Sequence, residues 1–115
     1  MPPSSPAPSG LVLGDAQQGQ TVSVRVGQHF EVVLGSTYWT FDPPPDASVV
    51  QDVAAPVYSP SPGCVPGGGC GTATAEFVAV GPGQATLSAS RTSCGEALAC
   101  GPASGSYKVT VVVTR

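Results

Sequence analysis

After Gly10 the chain alternates apolar and polar residues with a period of two. Val22, Val24 and Val26 are interleaved with Thr21, Ser23 and Arg25, the pattern of a strand with one buried and one wet face. Phe30, Val32 and Leu34 repeat it against His29, Glu31 and Val33. A short strand over 38–41 is stopped by Asp42-Pro43-Pro44-Pro45-Asp46, because prolines have no N–H to give to a ladder and so mark an exposed connection. A weaker strand is expected over 48–58, on a sheet edge where Pro56 is tolerable.

The second half of the chain is cleaner. A strand over 72–80 carries Phe77, and Gly81-Pro82-Gly83 turns the chain. Ala85, Leu87 and Ala89 then alternate with Thr86, Ser88 and Ser90, and Tyr107, Val109, Val111 and Val113 face inward on the last strand. Val112 makes that strand apolar on both faces, which argues against a fully exposed edge. No amphipathic stretch of helical length carries start and stop signals. About seven short strands with regular turn signals predict an all-β fold, an immunoglobulin-like β-sandwich of antiparallel strands. Strand parity then places the connections at 35–37, 59–71 and 91–105 together at one end, and the sharper turns at the other.

Composition narrows the class. At 115 residues the chain has room for one core. Residues 1–10, rich in Pro and Ser, are expected to be a flexible tether, with residues 11–115 as the domain. Such a tether suits an exported protein whose export signal has been removed. No apolar run approaches the roughly 20 residues of a membrane helix. The net charge is −3 with four scattered cations, so no basic patch invites nucleic acid.

Cysteine spacing says more. Cys64 and Cys70, then Cys94 and Cys100, repeat one interval in a Gly/Pro-rich domain. Paired structural zinc ligands are normally separated by roughly two to four residues; here the gap is longer, which favours two disulfides and an extracellular or cell-surface location. Pairing within each loop is favoured. Cross-pairing between the two neighbouring loops stays open, since sequence does not determine connectivity.

The run Gly19-Gln-Thr-Val-Ser-Val-Arg-Val-Gly-Gln-His-Phe-Glu-Val-Val-Leu34, followed by Trp39, resembles the opening of chagasin-type cysteine protease inhibitors. Gly68-Gly69-Cys-Gly71 through Phe77, Gly83 through Arg91, and Tyr107 through Val113 are similar in the same order. The resemblance covers roughly residues 19–113 and implies an immunoglobulin-like sandwich whose three loops at one end wedge into the cleft of papain-like proteases. It assigns partner contacts to Gly35, Ser36, Thr37 and Tyr38 in the first loop and to Gly67, Gly68 and Gly69 in the second. Arg91, Thr92 and Ser93 are the third-loop contacts. The loop motifs are degenerate. The family's Asn-Pro-Thr-Thr-Gly is shortened to Gly35-Ser36-Thr37, Cys70 interrupts the glycine run, and the third loop's Arg-Pro-Trp becomes Arg91-Thr92-Ser93.

Each candidate also has a plainer reading. A tryptophan on a third strand more often fills a sandwich core than a partner's pocket, and Arg91 equally suits a solvated strand end. Tyr38 and Tyr58 suit either a binding surface or an edge that closes the core. His29 sits at an outward strand position with no nucleophile motif near it. Asp42 and Asp46 read as turn caps. The expectation is therefore a monomeric protein-binding domain with no cofactor, no metal and no catalysis, its partner a papain-like cysteine protease. The alternative is a structural or adhesive bacterial immunoglobulin-like module without inhibitory activity.

Overall fold

Among the described residues, nine strands form two sheets. The computed structural model describes residues 11–63, 69–92, 94, 100 and 105–115; the expected tether at 1–10 lies outside them. The strands are β1 (Leu11–Gly14), β2 (Thr21–Arg25), β3 (His29–Gly35), β4 (Thr40–Phe41), β5 (Val50–Asp52), β6 (Val57–Pro60), β7 (Gly71–Ala79), β8 (Gly83–Ser90) and β9 (Ser106–Thr114). One sheet runs β1-β3-β7-β5, with β6 also paired to β7, and the other runs β2-β9-β8-β4. Among the described residues, the one helical element is a 3-10 turn at Asp15–Gln17, and no helix is long and apolar enough to cross a membrane.

The alternating residues face each other across the two sheets. Phe30, Val32 and Leu34 of β3 meet Ala73, Ala75, Phe77 and Ala79 of β7, with Ala85, Leu87 and Ala89 of β8 and the inward residues of β9 opposite. Small alanines on β7 and β8 leave room for the larger rings, and Phe30 stacks on Phe77 with centroids 5.6 Å apart. Each fully buried Val, Leu or Phe contributes about 1.5–3 kcal/mol. Strand β9 lies between β2 and β8, which accounts for its apolar residue on both faces at Val112.

The strand count and the pairing differ from the expectation of about seven antiparallel strands. Strand β1 pairs parallel to β3, and β2 pairs parallel to β9. The chain therefore crosses from one sheet to the other between them. The run Leu11-Val12-Leu13 carries no alternation that would announce β1. The strand expected over 48–58 is two strands, β5 and β6, on different halves of β7. Residues 53–56 bulge out between them, where Pro56 has no N–H to offer. The short strand expected from residue 38 begins at Thr40. Val26, expected inward, is 42% exposed because β2 ends at Arg25 and Val26 enters the turn.

Candidate functional site

The end at which β3, β6 and β8 finish carries all three candidate loops, joined to one another. The first loop leaves β3 at Gly35, and Ser36 follows with a φ of 107°. That left-handed conformation is costly for a residue with a Cβ, and strain of this kind concentrates at functional loops. The Ser36 N–H donates to Gly71 O at 2.8 Å and the Thr37 N–H to Gly69 O at 2.9 Å. The Ser36 hydroxyl oxygen accepts from the Tyr38 N–H at 3.1 Å. First and second loops thus share a short stretch of backbone pairing.

Gly69 explains how Tyr38 fits. Its φ is 68°, and a Cβ there would run into the Tyr38 ring. The half-buried ring therefore lies against the bare backbone of the second loop. Gly71 is equally constrained: its φ is 129° and a Cβ would meet Ser59 O. Glycine is the residue that tolerates such φ values and such close approach. The Ser61 N–H closes the base of the second loop on Cys70 O at 3.1 Å.

Beneath the loops lies Trp39, 4% exposed. It belongs to the core. Its Nε1–H donates to Gly35 O at 2.9 Å, and its ring meets Tyr107 edge-on with centroids 6.5 Å apart. The Arg91 guanidinium carbon sits 4.5 Å from the Trp39 ring centroid, close enough for a cation–π contact. Arg91 is thus half-buried on an aromatic face rather than a free strand-end cation. Its N–H donates to Gly105 O at 2.9 Å, closing the third loop's stem.

The third loop contains the disulfide Cys94–Cys100, which excludes zinc for that pair. The Cys100 N–H donates to the exposed Thr92's carbonyl at 3.0 Å. Closing so short a loop contributes about 2 kcal/mol by the chain-entropy model. Cys70 is also disulfide-bonded. Cys64, with which local pairing was expected, lies outside the described residues, so one of the two expected disulfides is shown. Gly67, Gly68 and Ser93 lie outside them as well. Among the described residues, no group of three or more His, Cys, Asp and Glu side chains is placed to hold a metal ion.

Two residues at this end, Asp15 and Gln18, gave no warning in the sequence, and Tyr107 is legible there only as an inward residue of the last strand. Asp15, Gln18 and Tyr107 tie the N-terminal turn to the loops. The Tyr107 hydroxyl donates to Gly14 O at 3.0 Å. Burial, and secondarily the nearby Asp15 carboxylate, push its phenol up to about 12. The other polar candidates lie elsewhere. His29 is exposed at the start of β3, opposite Val78, at the far end of the molecule. Asp46 accepts from both the N–H and the hydroxyl of Ser48, which holds its carboxyl below the usual carboxylate range. Asp42 accepts from the Ser88 hydroxyl at 2.7 Å. Both carboxylates anchor turns. Tyr58 is 45% exposed on β6, at the sheet edge opposite Ala73, two residues before the strand ends at Pro60.

No protein-family profile matches the sequence, and no curated protein matches it. Solved structures do match its fold. Amebosin is 14% identical with a TM-score of 0.64, the match covering 96% of this chain and 100% of amebosin. EhICP2, a cysteine protease inhibitor from Entamoeba histolytica, is 11% identical with a TM-score of 0.62, covering 90% of this chain and 94% of that one. PbICP-C, solved in complex with falcipain-2, is 17% identical with a TM-score of 0.52, covering 91% and 98%. The chain therefore has the two-sheet fold of these proteins over nearly its whole length. That is the fold implied by the resemblance to chagasin-type inhibitors.

Proposed function

We propose that this chain is an immunoglobulin-like protein-binding domain that inhibits a papain-like cysteine protease, using the loops at 36–39, 61–70 and 91–105. The reading rests on one observation. Those three loops meet at one end of a sandwich whose fold is shared with a cysteine protease inhibitor over nine-tenths of both chains. Inhibition is steric: the loop end occupies the cleft and no covalent bond forms. Tyr38, Thr37, Gly69 and Thr92 supply contacts. Trp39 and Arg91 act from beneath, as the support on which the first and third loops rest. The domain works outside a reducing cytosol, which the disulfide Cys94–Cys100 supports.

The test is a titration of papain-like proteases with the purified domain, with a variant carrying Gly69→Ala in parallel. Inhibition at or below micromolar concentration that the variant loses supports the reading. No inhibition of any such protease at that concentration sinks it and leaves a structural or adhesive module.

A further inference from the structure

We infer that the turn at Asp15–Gln18 is a fourth element of the binding end, a brace whose Asp15 and Gln18 side chains hold the first and third loops in register. The inference rests on the proposed binding role of those loops and adds two positioning residues to it.

The turn contributes little to the core. Its 3-10 segment has no buried residue, and Asp15, Ala16 and Gln18 are exposed. Its side chains nonetheless reach across the fold. Asp15 Oδ2 accepts from the Gly35 N–H at 3.1 Å, where the first loop leaves β3. The carbonyl of the same Gly35 holds the Trp39 indole. One carboxylate thereby anchors the residue from which the first loop and its buried support both depart.

Gln18 does the same for the third loop. Its Oε1 accepts from the Lys108 N–H at 2.7 Å, and its Nε2–H donates to Ser106 O at 2.8 Å. A side-chain amide thus takes the place of a peptide unit beside β9. It continues the backbone ladder made by the Gly19 N–H to Lys108 O and the Thr110 N–H to Gln20 O, up to the residue where the third loop ends. Gln17 Oε1 accepts from the Gly14 N–H at 2.6 Å and closes the turn on itself. The Tyr107 hydroxyl on Gly14 O adds a tie between the turn and the aromatic pair under the loops.

The second loop is tied to the first through Gly69 and Gly71. With the turn in place, all three loops are linked through hydrogen bonds to one frame. Fixing loops in the bound geometry before binding removes an ordering cost from association. Exposed hydrogen bonds that bury nothing affect total stability little. The turn therefore acts on affinity more than on folding.

The experiment compares wild type, the double variant Asp15→Ala/Gln18→Ala, and the single variants Asp15→Ala and Asp15→Asn, the last of which keeps an acceptor oxygen for Gly35. Inhibition of papain, the dissociation rate, the thermal midpoint and amide hydrogen exchange are measured on the full chain. The double variant is expected to inhibit at least tenfold more weakly and dissociate faster, with its midpoint within a few degrees of wild type. Asp15→Asn is expected to restore most of what Asp15→Ala loses. Equal inhibition by wild type and double variant overturns the brace, as does a loss of binding matched by a midpoint more than ten degrees lower. If wild type itself fails to inhibit, the protease reading falls and the brace is judged on exchange alone. Faster exchange at the Thr37 and Arg91 amides in the double variant upholds it, and unchanged exchange there overturns it.

Discussion

The two ends of the sandwich are built differently. At the end that carries the sharp turns, backbone bonds still join distant segments, as in the Val26 N–H to Thr114 O and the Gly27 N–H to Ala79 O. The side-chain caps on the turns, however, are local: Gln28 Oε1 caps the Arg25 N–H and Asp46 caps Ser48. At the loop end they span the chain. Gln18 reaches Ser106 and Lys108, 88 and 90 residues away, and Tyr107 reaches Gly14 across 93. A turn closed by its own residues can change without disturbing its neighbours. Loops that depend on one another transmit a local change to the whole surface, which suits a surface whose parts must meet a partner together.

Substitutions that separate folding from binding test this contrast, and the largest effect belongs to the shared support. Trp39→Ala removes a buried ring, the indole bond to Gly35 O and the platform for Arg91. It is expected to cost about 3–5 kcal/mol in urea unfolding and to abolish inhibition. A cost below about 1 kcal/mol would mean that the loops do not rest on Trp39.

Gly69→Ala comes next. A methyl group at that φ is strained and meets the Tyr38 ring, so a loss of about 1–3 kcal/mol is expected. Inhibition should weaken by tenfold or more, because Tyr38 must leave its seat. Pairing this variant with Tyr38→Ala probes the mechanism: the double change should cost less stability than the sum of the two, and simple additivity would show that the contact is not what matters.

The Tyr107 phenol gives the loop end a pH signature. In the unfolded chain it loses its proton near its ordinary value of 10.0, and in the folded protein near 12. The folded state thus holds the proton more tightly. The resulting stability is complete below pH 10 and is lost as pH rises from 10 towards 12. Tyr107→Phe should be slightly less stable than wild type at pH 7, having lost the bond to Gly14 O. The gap should narrow as pH rises through that window. A gap constant to pH 12 would contradict the burial of the hydroxyl.

The smallest effect is predicted at the opposite end. Asp46→Ala removes the Ser48 cap and should lower the thermal midpoint slightly at neutral pH while leaving inhibition unchanged. Since the cap holds the Asp46 carboxyl below the usual range, the difference should vanish in acid, where the carboxylate is protonated in both states. Weaker inhibition by this variant would break the division between the two ends.

Much of this architecture was legible residue by residue. The inward sets at 30–34, 85–89 and 107–113, the proline-run connection and the Gly81-Pro82-Gly83 turn follow from periodicity and turn chemistry, which need only near neighbours. The clustering of the candidate loops followed from strand parity. It survived the additional strands because β1 precedes the alternation that begins at β2, and because β5 and β6 both run antiparallel to β7 and so add no reversal. Trp39 as core was legible from its expected place on the third strand of a sandwich, although that strand begins one residue after it. Its partnership with Arg91, 52 positions further on, was not.

What the sequence alone determined is therefore which faces are apolar, where the chain turns and which residues crowd one end, because each depends on short-range order. Only the tertiary structure decided that β1 and β2 join their sheets in parallel, and that one edge strand divides around Pro56. It likewise decided that Tyr38 is seated on Gly69 and that Asp15 and Gln18 brace the loops. Each of these depends on groups brought together from distant parts of the chain, and a glutamine that completes a ladder 90 residues away has no local pattern that distinguishes it from one in water.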